Sequence, residues 1–173
     1  MGKLTAPEPL NPEHDIRDFD CGTDSLNQWL CRQALKNQVS GASRSFVVCE
    51  GGKVVGYYAL ATGSVVRQNA PGKIRQSMPN PIPVIVLGRL AIDHRKQGVG
   101  LGSALLRDAL LRTWNVSKEI GVRALLVHTL TEKAKNFYLY HGFQESPIEP
   151  LTLMLNLTSI SYALREKDSP SQG

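Results

Sequence analysis

Three glycines at alternate positions, Gly98, Gly100 and Gly102, follow a β-branched run, VIVLGRLAID, and a basic pair, Arg95-Lys96. They precede SALLRDALL, whose apolar spacing is helical. Glycine tolerates positive φ and puts no side chain over its amide, so N–H groups in such a loop can converge at a helix start, where the dipole favours an anion. A pyrophosphate is the natural occupant; a tight strand-to-helix turn that uses glycine for steric reasons is the alternative. The dinucleotide fingerprint G-x-G-x-x-G fails here, because Ser103 stands at the third glycine and Val122 to Ala124 stand where an acid is needed about 20 residues on. No G-x-x-x-x-G-K-[ST] run exists either. Cys21, Cys31 and Cys49 form no C-x-x-C pair, and His14, His94, His128 and His141 are scattered without metal-ligand spacing. A reduced, metal-free protein is expected.

The elements that must position this loop are read from periodicity. Residues 20–40 set Leu26, Trp29, Leu30, Ala34 and Leu35 on one helical face, with Thr23 as N-cap. SFVVCE, Gly51-Gly52 and KVVGYYALATGSVV read as a hairpin, and residues 68–83, with four prolines, as a basic loop. The strand of residues 84–93 comes next, and the glycine loop leads into a long helix ending near Gly121, with Leu105, Leu106, Ala109, Leu110 and Val116 on its apolar side. RALLVHT is a strand, TEKAKNFYLYH a helix stopped by Gly142, and LTLMLNL a strand followed by a weakly helical or disordered tail. This order, α-β-β-β-α-β-α-β over 173 residues, predicts one α/β (α+β) domain with a mixed central sheet flanked by helices, its core at about residues 5–157 and its tail at 158–173. No run approaches the roughly 18 apolar residues of a membrane span. The N-terminus lacks an apolar signal region, and Ala6 stands where a myristoylation signal wants Ser or Thr, so a cytoplasmic, unanchored protein is expected.

Arg95-x-x-Gly98-x-Gly100 has the [Q/R]-x-x-G-x-[G/A] form of the acetyl-CoA pyrophosphate loop, and Phe137-Tyr138-x-x-x-Gly142-Phe143 lies one strand further on. On these motifs the chain resembles the GNAT N-acetyltransferases. The early FDCG…LNQWL helix, LKNQ before GASRSFVV, PIPVIVLGRLAID and AKNFY are similar to the GNAT toxins of bacterial type II toxin–antitoxin systems. One position departs from the family pattern: Thr131 stands where many acetyltransferases have Asn, which preserves a helix cap but puts the Asn contact to the pantetheine arm in doubt.

The resemblance implies acetyl-CoA as acyl donor, with no metal. The strand Leu90, Ala91, Ile92 would leave backbone groups for the pantetheine, the Ile92 amide pointing to the acetyl carbonyl. Arg95, Gln97, Gly98, Val99, Gly100, Leu101, Gly102 and Ser103 would hold the pyrophosphate, and Thr129 completes the cofactor set. Tyr138 would protonate the leaving thiolate; a phenol near pKa 10 suits a thiol near 8.5. Tyr140, about 200° further round the helix, cannot face the same thioester. His128 and His141 read as a sheet-edge residue and a helix C-cap rather than as bases.

Residues 51–112 offer only Asp93 and Asp108 as carboxylates. A lysine amine is neutral to only about 0.04% at pH 7 and an α-amine to roughly 10–17%, so a site without an obvious base suits an α-amine. The toxin resemblance implies that amine on aminoacyl-tRNA, whose acetylation blocks translation. It also implies a homodimer and a ribbon-helix-helix antitoxin, through which alone operator DNA is bound. The charge agrees with an RNA partner: the net +5 conceals nine basic against two acidic residues in 51–112, while residues 1–50 are net acidic. Lys36, Arg44, Lys73, Arg75 and Arg89 are the candidate tRNA contacts, against a solvated surface as the alternative. Arg89 alternates with Leu90 on a strand and could instead partner a carboxylate. An acetyltransferase for a protein N-terminus or small amine, and a non-catalytic nucleic-acid-binding module, remain alternative functions.

Overall fold

The computed structural model describes residues 2–159, and the expected tail lies outside them beyond that point. Its elements are β1 (Glu8–Pro9), α1 (Asp24–Arg32), α2 (Ala34–Ser40), β2 (Arg44–Glu50), β3 (Lys53–Val65), α3 (Gly72–Arg75), β4 (Ile82–Ile92), α4 (Leu101–Ser117), β5 (Ala124–His128), α5 (Glu132–Tyr140), β6 (Gln144–Glu145) and β7 (Thr152–Asn156). The strands form one sheet in the order β1-β2-β3-β4-β5-β7-β6. Helix α4 connects β4 to β5, which are neighbours in that order, and β1–β2, β2–β3, β5–β7 and β6–β7 are antiparallel.

The chain divides into two compact units: residues up to Ala61 with Leu87–Ala109, and Thr62–Val86 with the described residues from Leu110 on. In the first, the β2–β3 hairpin turns at Gly51 and Gly52, with φ of 58° and 81°, the left-handed pair that a two-residue turn needs. Its core joins Leu10, Phe19, Leu30, Ala34, Val47, Val54, Tyr57 and Ala91. The single helix expected over residues 20–40 is two. Gln33 takes φ −117°, well away from a helical −63°, and separates α1 from α2 while Leu30 and Ala34 both stay fully buried.

In the second unit the core joins Val65, Ala70, Ile74, Ile82, Val84, Ala124, Leu126 and Met154. The expected basic loop contains one helical turn, α3, because Pro71 opens it and fully buried Ile74 anchors it. The two short strands β1 and β6 carry too few residues to show periodicity. Helix α4 ends earlier than expected, and Val116, 38% exposed, is not on its buried side; Thr113 is. No helix among the described residues is long and apolar enough to cross a membrane.

Candidate functional site

In the first unit, Asp93 closes β4 and organises everything up to the glycines. Its amide donates to the Val55 carbonyl at 2.9 Å and its side chain is fully buried. Oδ1 accepts from the Arg95 amide (3.0 Å) and Nε (2.8 Å); Oδ2 accepts from Arg95 Nη2 (3.0 Å) and the Asp20 amide (3.1 Å). Burial pushes the Asp93 carboxyl up, but the Arg95 and Asp20 hydrogen bonds with the guanidinium charge prevail and hold it at about 2. The Arg95 guanidinium is therefore committed to a carboxylate, and Lys96 pairs with Glu50. Gln97 Nε2 donates to the carbonyls of Ile92 (2.9 Å) and Cys21 (3.0 Å), and the His94 amide donates to the Asp20 carbonyl at 2.8 Å. The early Asp20-Cys21-Gly22 segment is thus a latch on the loop, which gives its sequence signal a physical cause.

Past this anchored turn, Gly98 and Gly100 take φ of 81° and 85°, and a Cβ at either would meet nothing within 4 Å. The glycines are there for backbone conformation beside open space, not for close packing. The Ala104 amide donates to the Gly100 carbonyl at 3.1 Å in the first turn of a 17-residue helix, whose leading amides have no carbonyl a turn earlier within the helix to bond. An anion of pyrophosphate type fits this arrangement. Val99 is exposed, Ala91 belongs to the core, and Leu90 and Ile92 are half-buried. Gly56 carries no signal in the sequence: a Cβ there would lie 3.1 Å from both Ile92 Cδ1 and Leu105 Cδ1, so its bareness lets β3 run close beside the end of β4 and the start of α4. The second carboxylate of this stretch, Asp108, accepts the Tyr58 hydroxyl.

In the second unit, Tyr138 lies in α5, 5% exposed, between the edges of Phe137 (5.1 Å) and Phe143 (5.2 Å). Burial raises its pKa above the ordinary value of 10, so the phenol keeps its proton at neutral pH. Thr131 caps α5, its hydroxyl accepting from the Ala134 amide at 3.1 Å, and Tyr140 is 86% exposed. Thr129 donates both its amide (2.8 Å) and its hydroxyl (2.9 Å) to the Leu151 carbonyl, which leaves the oxygen lone pairs for any ligand.

The same unit holds a cleft of about 360 Å³ with Val65, Val86 and Leu126 among its apolar walls and His128, Glu149 and Thr152 as polar ones. His128 Nδ1 lies 2.9 Å from Thr152 Oγ1, and the Thr152 hydroxyl donates to Glu149 Oε2 at 3.2 Å. The sequence puts His128 at a sheet edge and the structure does not: β5 lies between β4 and β7, and His128 pairs with Thr152 across that ladder. His141 is the C-cap of α5, as expected. Nothing in the spacing of His128, Glu149 and Thr152 signals their meeting, which depends on a β5–β7 register read only in three dimensions.

The basic candidates occupy different settings. Lys36 is exposed on α2, and Arg44 at the start of β2 donates to the Gln38 carbonyl. Arg89 has an aromatic partner rather than the carboxylate considered from sequence: its guanidinium sits 4.6 Å over the Trp29 ring, which stacks on Tyr57. Lys73 and Arg75 are exposed on α3, and Arg123 fixes that turn by donating to the carbonyls of Ile74 (3.0 Å) and Lys73 (2.9 Å). Glu8, His14 and Cys49 bring ligand atoms within 4.8 Å of one another, but both His14 nitrogens are already engaged, by the Asn11 amide and by Glu8.

Residues 41–145 match the model of the acetyltransferase (GNAT) domain. The chain is 49% identical over 155 residues to a tRNA-acetylating toxin of Mycobacterium tuberculosis, covering 90% of this chain and 93% of that one. Among solved structures it is similar to AtaT complexed with acetyl-methionyl-tRNAfMet, with a TM-score of 0.87 at 31% identity over 94% of this chain and 99% of that one. The AtaT–AtaR complex bound to DNA matches with a TM-score of 0.76 at 29% identity, over 92% and 99% of the two chains.

Proposed function

Since the chain belongs to the GNAT acetyltransferases, and within them to the toxin acetyltransferases, we propose that it transfers the acetyl group of acetyl-CoA to the α-amine of aminoacyl-tRNA. The observation that carries this reading is the 49% identity to a tRNA-acetylating toxin over nine-tenths of the chain. Acetyl-CoA supplies an electrophilic thioester carbon and a thiolate leaving group.

The residues divide the work. The amides of Gly98 to Ser103, presented at the start of α4, bind the pyrophosphate, and Leu90, Ala91 and Ile92 direct the pantetheine and acetyl carbonyl. Arg95 and Gln97 contribute by holding the loop, through Asp93 and through the Ile92 and Cys21 carbonyls, rather than by offering free side chains. Thr129 can accept from the pantetheine, its hydroxyl proton being committed to Leu151. Tyr138, kept protonated by burial, gives its proton to the departing sulfur. Lys36, Arg44, Lys73, Arg75 and Arg89 take the tRNA backbone; of these, Arg89 is held in place by Trp29. Acetylation removes the nucleophilic amine from the aminoacyl end, which stops peptide-bond formation.

The protein works in the cytoplasm as a homodimer, and a ribbon-helix-helix antitoxin neutralises it and carries it to operator DNA. The activity is tested by incubating the purified protein with acetyl-CoA and charged tRNA, releasing aminoacyl adenosines with nuclease and weighing them by mass spectrometry. An adduct of one acetyl group on the amino acid is expected; its absence across a full set of charged tRNAs overturns the reading.

A further inference from the structure

We infer that the Glu149–Thr152–His128 chain is the proton acceptor for the attacking amine, with His128 Nε2 as general base. The inference rests on the acetyl-transfer reading above and supplies the group that the loop-bearing stretch lacks, since Asp93 is locked to Arg95 and Asp108 accepts the Tyr58 hydroxyl.

Hydrogen-bond bookkeeping fixes the tautomer. A carboxylate only accepts, so the proton on Thr152 Oγ1 points to Glu149 Oε2 at 3.2 Å. The Thr152 oxygen then accepts from His128 Nδ1 at 2.9 Å, which places the ring proton on Nδ1 and the lone pair on Nε2. A histidine whose second nitrogen is oriented in this way is a base held in its accepting form. Thr152 is buried and sits opposite His128 in the β5–β7 register, so the relay is built into the sheet and is not a chance meeting of surface groups.

The surroundings suit an amine carried on a larger acceptor. The cleft has apolar walls from Val65, Val86 and Leu126, and among the described residues that line it only His128 and Glu149 carry acid–base side chains. A carboxylate beside the base attracts the ammonium form, which gives one proton to solvent so that the neutral amine attacks. His128 also immediately precedes Thr129, the residue assigned to acetyl-CoA, so the two Cα atoms are about 3.8 Å apart.

The step balances. The amine nitrogen forms a bond to the thioester carbon and its proton passes to His128 Nε2; the C–S bond breaks and the thiolate takes the Tyr138 proton. Solvent then removes the proton from His128 and returns one to Tyr138. His128 and Tyr138 are catalytic residues in this scheme, and Thr152 and Glu149 are positioning residues.

The test measures single-turnover acetylation of charged tRNA by wild type, His128→Ala, Thr152→Val, Thr152→Ser and Glu149→Gln, with acetyl-CoA affinity followed by calorimetry. His128→Ala should lose about 100-fold in rate, with acetyl-CoA affinity within twofold, and free imidazole should restore part of the rate in proportion to its neutral fraction. Thr152→Val should lose at least tenfold, while Thr152→Ser, which keeps the hydroxyl, stays within threefold of wild type. Glu149→Gln should fall between them. If wild type is active and His128→Ala retains its rate, or loses it without imidazole rescue while Thr152→Val matches Thr152→Ser, the relay is overturned and the acetyl-transfer reading stands. If wild type makes no acetyl-aminoacyl-tRNA, both fall.

Discussion

Two side chains carry the most consequence when altered singly. Tyr138→Phe keeps the ring between Phe137 and Phe143 and removes only the hydroxyl, so the melting temperature should stay within about 2 °C while acetylation falls 100-fold or more, as about 10²–10⁴ is typical of a lost general acid. Thermal unfolding beside the tRNA assay separates those two effects; full activity of the variant would remove Tyr138 from the chemistry. Asp93→Asn instead breaks a structural latch. It should cost about 2 kcal/mol at pH 7, because Asp93 is fully buried while Arg95 keeps half its side chain in water. Since the folded carboxyl is held at about 2, its contribution is fully present above the ordinary carboxylate value near 4 and is lost as pH falls from there towards 2. The stability gap between wild type and variant, measured by denaturant titration, should therefore close over that window. The place of Tyr138 on a helix is legible because a local motif carries it, whereas Arg95 resembles an anion ligand in one dimension and proves to be the partner of a buried carboxylate two residues away.

The glycine loop is the element on which the proposed cofactor site depends, and it can be tested through its backbone alone. Gly100→Ala meets no steric neighbour but must hold φ near 85°, which costs about 1–2 kcal/mol for an L-residue. A loop that relaxes from that conformation turns its amides away, so acetyl-CoA affinity by calorimetry should fall about tenfold, with stability reduced by that modest amount. The same substitution at Gly121, where φ is not in the left-handed region and a Cβ has open space, should leave affinity unchanged. Elements of this kind were legible because glycine, proline and strong periodicity mark them: the Gly51-Gly52 hairpin, the start of α4 and the Gly142 stop all stand where composition puts them. Periodicity reports which face is buried and is blind to a single altered φ, so it carries no sign of the break at Gln33. It is equally blind to β1 and β6, two residues each, which are strands only because a partner strand runs beside them.

At the scale of the molecule, the charge asymmetry becomes a prediction about ionic strength. Nine of the 20 basic residues fall in 51–112, and the structure gives them different roles. Arg95 and Lys96 are committed to Asp93 and Glu50, and Arg89 lies over an indole. Lys73 and Arg75 point to solvent on a turn that Arg123 holds by its carbonyls, so they are placed for a polyanion without serving the fold. Each phosphate contact contributes a slope of roughly 0.7–0.9 to the fall of log affinity with log salt. The double variant Lys73→Ala, Arg75→Ala should therefore weaken tRNA binding at about 0.1 M salt, reduce the salt slope by about 1.5, and leave acetyl-CoA binding and the melting temperature as in wild type. Filter binding of charged tRNA across a salt series reads all of this except the last two, which calorimetry and thermal unfolding supply. An unchanged slope would assign these two cations to a solvated face, and the RNA contacts would then have to come from Lys36, Arg44 and Arg89.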